Sequence, residues 1–110
     1  MDLKTKILAA KRMLEPVDVP EWGETVFLRR MSGGEFEMFA STKDQDLGKD
    51  KLLPARVLLM LCLCDADGKN IFADPDELKE IDGHIINRLT PPALELNGLT
   101  KKAQEEIAKN

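Results

Sequence analysis

Val17-Asp18-Val19-Pro20-Glu21-Trp22-Gly23-Glu24-Thr25-Val26-Phe27-Leu28-Arg29-Arg30 holds the only tryptophan of a chain that has no tyrosine. Apolar and polar residues alternate up to Pro20, a Glu-Trp-Gly-Glu connection follows, and a β-branched and aromatic run completes the stretch. That is the pattern of two short strands joined by a tight turn. Pro20 ends the first strand because it has no N–H to give a ladder, and Gly23 supplies backbone freedom at the corner. The remainder reads as helix. The expected class is mainly α with a small β-hairpin (α+β), a single-domain helical bundle around a central apolar helix.

Upstream of the hairpin, residues 1–15 place Leu3, Ile7, Leu8, Ala10 and Leu14 at helical spacing, with Lys4, Lys6, Lys11 and Arg12 on the other side. This predicts an amphipathic helix ended by Pro16. The hairpin occupies 17–30 and a helical core 32–97. Ser32 with Glu35 forms a capping box for a helix carrying Phe36, Phe39 and Ala40, with Met38 beside them. The polar run Ser41 to Lys51 reads as a mobile loop. Leu52 to Cys64 is apolar all round apart from Arg56, so it should be the surrounded central helix, with Pro54 tolerated near its start.

Asp65-Ala66-Asp67-Gly68 is a turn, after which Ile71 and Phe72 should return to the core. Asp74-Pro75-Asp76-Glu77 starts a helix with Leu78, Ile81, Ile85 and Leu89 on one face, and Gly83 breaks it where Asp82 can cap again. Pro91-Pro92 should interrupt at Thr90. Asn97-Gly98 closes the last turns as a C-cap, and Thr100 heads a polar tail over 100–110.

Composition narrows the function classes. The 110 residues are 43% hydrophobic and 33% charged, with net charge −4. Bases are scattered, so no dense basic face offers a nucleic-acid footprint. The longest apolar run, Val57 to Cys64, is far short of the roughly 20 residues that span a bilayer, and no signal peptide is visible. Cys62 and Cys64 are too close in sequence for a comfortable disulfide and should be buried, reduced thiols of a cytosolic protein.

The sequence carries little catalytic inventory. His84 is the only histidine, and two cysteines with one histidine at these spacings do not make a zinc site. Aligning Gly68 with the obligatory glycine of a calcium loop puts Leu63 at the first ligand position, which defeats the match. No phosphate-cradling glycine loop is present. No catalytic residue, cofactor or metal is therefore expected, and the chain reads as a non-enzyme. From Asp65 to Asp82 seven acids face two bases, a local net of −5; this is a solvated face or a docking surface for a basic partner.

Three patches, in order, resemble the lambda G-like tail assembly chaperones of long-tailed phages. They are Val17 to Gly23 running into Val26-Phe27-Leu28-Arg29; Cys62-Leu63-Cys64-Asp65-Ala66-Asp67-Gly68-Lys69-Asn70-Ile71-Phe72; and Leu94-Glu95-Leu96-Asn97-Gly98-Leu99. The resemblance spans about Val17 to Leu99; Pro91-Pro92 departs from the single helix expected there. It implies a non-enzymatic chaperone of virion morphogenesis that binds the tape measure protein, keeps it soluble for tail tube polymerisation, and is absent from the mature virion. It also implies a frameshifted longer form that recruits the tail tube protein, with Lys101-Lys102 where a slippery codon pair would fall. Self-association into a homo-oligomer and a host-cytoplasmic location complete the expectation, with no nucleic-acid or membrane partner.

Expected partner-binding residues are Trp22 and Phe27, because a hairpin tip or edge is accessible, and Asp65, Asp67, Glu77 and Glu80, because the acids cluster. Two other classes stand beside this one. The first is a generic cytosolic helical adaptor that uses the Trp22 hairpin as an edge for strand addition. The second is a small thiol enzyme built on Cys64 and His84.

Overall fold

Val19 and Gly23 bracket the turn that makes the hairpin. A 3-10 turn over Pro20–Trp22 begins with proline, and Gly23 closes it in the left-handed region at φ 64°, a conformation glycine adopts without a Cβ penalty. The computed structural model describes residues 2–43 and 52–99. Helix α1 (Leu3–Ala9) precedes strands β1 (Leu14–Val19) and β2 (Glu24–Arg29). Helix α2 (Gly33–Lys43), helix α3 (Leu53–Cys62), strand β3 (Leu63–Cys64), a 3-10 helix over Pro75–Glu80 and helix α4 (Gly83–Leu96) follow. The sheet is antiparallel in the order β1-β2-β3. The fold is α+β.

The first correction concerns the N-terminus. The predicted helix over 1–15 stops at Ala9, and Leu14-Glu15-Pro16 belong to β1, where Pro16 lies opposite Phe27. Tertiary pairing overrides the helical spacing of Leu14, because β2 runs to Arg29 and its backbone needs partners along that whole length. Arg30 N donates to Met13 O at 3.3 Å. Counting back in the alternation of an antiparallel ladder places the missing N–H of Pro16 on the free edge of β1, where no bond is lost. Helix α1 buries none of its residues, and Leu3, Ile7 and Leu8 are exposed.

Helix α2 starts at the predicted capping box: Glu35 N donates to Ser32 Oγ at 3.2 Å and Ser32 N to Glu35 Oε1 at 2.8 Å. Glu35 also pairs with Arg12 and with Arg29, the latter at 3.3 Å. Burial opposes its ionisation, but the Ser32 N–H and the Arg12 guanidinium outweigh it and hold the carboxyl below the ordinary glutamate range. Phe39 is buried and Phe36 half-buried, whereas Ala40 and Met38 face solvent. The helix continues through Ser41, Thr42 and Lys43, residues expected in the mobile loop. Thr42 is buried, its Oγ1 donating to Phe39 O at 2.6 Å. The rest of that loop and the tail from Thr100 to Asn110 lie outside the described residues.

Helix α3 is the central element: every residue from Arg56 to Cys62 is buried, as an all-round apolar helix requires. It ends two residues earlier than the apolar run. Leu63 and Cys64 form β3, pairing with Leu28 and Phe27. The helix end is satisfied by side chains: Asn70 Nδ2 donates to Met60 O at 2.8 Å and Leu61 O at 3.3 Å. Arg29 donates to Gly68 O at 2.6 Å and to Asn70 Oδ1. Buried carbonyls without such partners would cost the desolvation of each group.

The Asp65–Gly68 turn forms as read, with Gly68 at φ 82° and Asp65 Oδ1 accepting from the N–H groups of Asp67 and Lys69. Ile71 does not return to the core but is 45% exposed, while Phe72 is half-buried. Asp74 and Glu77 complete their capping box, yet the segment is 3-10 and ends at Ile81 before Asp82 caps α4.

Pro91-Pro92 does not interrupt α4, which runs unbroken from Gly83 to Leu96. The acceptors that two proline nitrogens would have used belong to Asn87 and Arg88, both exposed, so water can take those carbonyls. The C-terminus closes as a Schellman motif: Leu99 N donates to Leu94 O at 2.8 Å and Gly98 N to Glu95 O at 3.0 Å, with Gly98 at φ 69°. Asn97 Oδ1 then accepts from Met31 N at 2.8 Å, tying α4 to the sheet–α2 junction.

Asn70→Ala should lower unfolding stability by about 1–3 kcal/mol, the cost of buried carbonyls left unpaired. Urea titration followed by Trp22 fluorescence would show it as a reduced midpoint at unchanged slope.

Candidate functional site

The hairpin tip, β3 and the segment after the Asp-Gly turn enclose an apolar groove of about 340 Å³. Trp22, Val26, Leu63, Ile71, Phe72 and Ile81 line it, with Glu24 at its margin. Each wall has a local cause. The left-handed Gly23 turns the chain sharply after Trp22 and lets that indole lie half-buried against the core. Strand alternation puts Val26 on the core side of β2. Leu63 reaches the groove because α3 stops at Cys62, and Ile71 because its N–H returns to Leu63 O at 3.3 Å.

The tip is held from the far side. Arg88 of α4 donates twice to the Glu21 carboxylate, at 2.9 and 2.6 Å, the two-pronged geometry that orients as well as attracts. The Arg88 bonds keep the Glu21 carboxyl below its ordinary range. Exposed acids flank the lining residues along the chain: Glu80 and Asp82 bracket Ile81, and Asp74 and Glu77 follow Phe72. The groove is therefore an apolar slot with one carboxylate, Glu24, at its margin, a shape that suits the apolar face of an amphipathic segment.

The residues expected to bind a partner are not gathered on one surface. Trp22 lines the groove, whereas Phe27, next to Val26 in β2, points to the opposite face of the sheet. Asp65 spends its carboxylate on the turn, and Asp67 borders a separate recess with Leu8, Leu14 and Arg29. Glu77 accepts from the N–H groups of Ala73 and Asp74 as part of a cap. Glu80 is exposed beside Ile81. Sequence reasoning did not select Ile71, Phe72 or Ile81. Their signal was an Ile-Phe pair straight after an Asp-Gly turn, which periodicity alone assigns to the core.

Comparison with known proteins agrees on the kind of protein this is. The sequence model of the phage tail assembly chaperone family matches residues 2–110. Among solved structures the chain is similar to the tail assembly chaperone of bacteriophage HK97, at 28% identity and a TM-score of 0.67, over 84% of this chain and 95% of that one. No curated protein matches.

The thiols stand apart from the groove's chemistry. Cys62 and Cys64 are both free and buried. Burial pushes the Cys62 thiol up to about 12, and burial also raises Cys64, whose Sγ donates to Phe27 O at 3.5 Å. His84 is exposed at the start of α4. A reactive thiol needs the opposite surroundings, a lowered pKa and an adjacent base.

A folded-state pKa raised above the unfolded value of about 8.5 leaves stability intact below that pH and erodes it as pH climbs towards 12. The wild type should therefore lose stability between those limits, approaching about 1.4 kcal/mol per pH unit for this one group. Cys62→Ala should flatten that alkaline slope in chemical denaturation, and a slope that persists unchanged would assign it to other groups.

Proposed function

The chain belongs to the phage tail assembly chaperone family, and from that premise we propose that its Trp22 groove binds helices of the tape measure protein. The groove carries the reading because apolar side chains of the hairpin, β3 and the segment after the Asp-Gly turn meet there with a single charged residue, Glu24, in the lining. A long helical partner offers repeated apolar ridges at intervals of three and four residues, and neighbouring side chains of one ridge fit a slot of this size. Covering those ridges keeps the partner soluble until the tail tube polymerises around it. The Glu24 carboxylate at its margin discourages like-charged segments and favours basic ones.

In this reading the protein acts in the host cytoplasm, leaves before the virion is complete and performs no chemistry. A longer product made by frameshifting would bring tail tube subunits to the same assembly. Strand addition at the hairpin is the less suitable mode, because Pro16 removes a donor from the middle of the free β1 edge.

Ile71 provides the test. It is 45% exposed, so Ile71→Glu changes the groove at little expense to the fold, whereas truncating the half-buried Trp22 would disturb both. Co-expression with the cognate tape measure protein should give a soluble complex with the wild type. The variant should lose at least about tenfold in affinity, or about 1.4 kcal/mol, at an unchanged melting temperature. A tape measure protein that stays insoluble and uncomplexed with the wild type would overturn the proposal.

A further inference from the structure

Ile81 is a wall shared by two recesses. On one side it lines the Trp22 groove. On the other it joins Leu52, Leu78 and Ile86 around a second recess of about 350 Å³, between the start of α3 and the start of α4. Each recess has one exposed apolar side chain in its lining, Ile71 at 45% and Leu52 at 58%. Their charges differ in sign. Glu24 is the one charged residue lining the groove, whereas the charged residues lining the second recess, among those described, are Arg56 and Lys79. We propose that the second recess extends the partner site, so that a helix seated in the Trp22 groove continues across Ile81 and sets a carboxylate on Lys79. This rests on the reading that the groove accepts a helix of the tape measure protein.

Apolar residues of an amphipathic helix recur along one ridge, so a single helix offers successive anchors to two neighbouring recesses. Charge then decides which helix fits. Arg56 is only 7% exposed, so Lys79 is the cation that meets a ligand. Its side chain is 53% exposed, and its Nζ lies 3.3 Å from Asp76 Oδ1 in a surface pair. Such a pair contributes little. Lys79 can therefore exchange Asp76 for a carboxylate that arrives on an apolar ridge, where water is excluded and the attraction is stronger. Direction follows from the same arrangement. Laid one way, a helix brings an acid to Lys79 and a base to Glu24. Laid the other way, it brings like charges together at both ends, and that repulsion excludes the wrong orientation more sharply than a lost contact would. The partner is thus a helix whose apolar ridge has an acid at one end and a base at the other.

Fluorescence anisotropy of labelled helical peptides, tiled along the cognate tape measure protein and titrated with the full chain, supplies the test. Lys79→Glu should weaken the best-bound peptide at least about fivefold, the limit for losing one exposed ion pair, and Lys79→Arg should keep wild-type affinity. Both should melt at the wild-type temperature. Replacing the peptide's acid by lysine should weaken the wild type and restore Lys79→Glu, a reciprocal rescue that a merely structural lysine would not give. Lys79→Glu at wild-type affinity beside a weakened Ile71→Glu overturns the inference and leaves the groove reading standing. A loss in Lys79→Glu that no peptide substitution reverses assigns the recess to a contact within or between copies of the chain and overturns it too. A wild type that binds no peptide, or an Ile71→Glu that binds as well as the wild type, overturns the groove reading and this inference with it.

Discussion

The guanidinium of Arg29 and the amide of Asn70 meet at the buried end of α3, and much of the molecule is arranged around that meeting. A fully buried helix must find partners for its last carbonyls without water. Here Asn70 takes those of Met60 and Leu61, and Arg29 holds Asn70 while reaching Gly68 O and Glu35. Because the helix ends there, Leu63 and Cys64 are free to pair with β2. Because the turn is clamped at Gly68 and Asn70, the next residues, Ile71 and Phe72, emerge beside Trp22. One capping arrangement thus sets the helix length, the third strand and one wall of the groove.

Glu35 extends the same network in the other direction. It caps α2, pairs with Arg29 from β2 and receives Arg12 from the segment before β1. Three segments of the chain therefore share one carboxylate. Such a hub stabilises only while the carboxylate is ionised, consistent with its lowered pKa. Asn97 performs the comparable service at the other end, where the Schellman motif of α4 delivers its side chain to Met31 N.

Features governed by neighbouring residues were legible in the sequence. The Trp-Gly corner, the Ser32–Glu35 box, the Asp65–Gly68 turn, the Asp82 cap and the Asn97-Gly98 end all form as their local chemistry dictates. Two of the misreadings come from competition by distant groups and a third from local solvent access. Leu14 has helical spacing from Ile7, yet β2 needs a partner strand through Arg29. Leu63 and Cys64 continue an apolar run, yet Asn70, six residues beyond Cys64, ends the helix from the side. Pro91-Pro92 looks like a break, yet the carbonyls it orphans lie on the wet face of α4. At the candidate site Trp22 could be singled out for rarity, but Ile71 becomes its neighbour through the clamp of Arg29 on Gly68 and Asn70, and Ile81 through the chain's return after the 3-10 helix.

The surface also bears on how a chain with an open apolar groove avoids aggregating. An exposed strand edge pairs with any extended backbone, because every residue carries the same donor and acceptor. Pro16 blunts that edge where a donor would face outward. An apolar groove is more selective, since it needs a side chain at the right helical position, and the Glu24 carboxylate at its margin adds a charge requirement. A helix-in-groove site can therefore remain open on a soluble chain, whereas an unblocked strand edge would be an aggregation hazard.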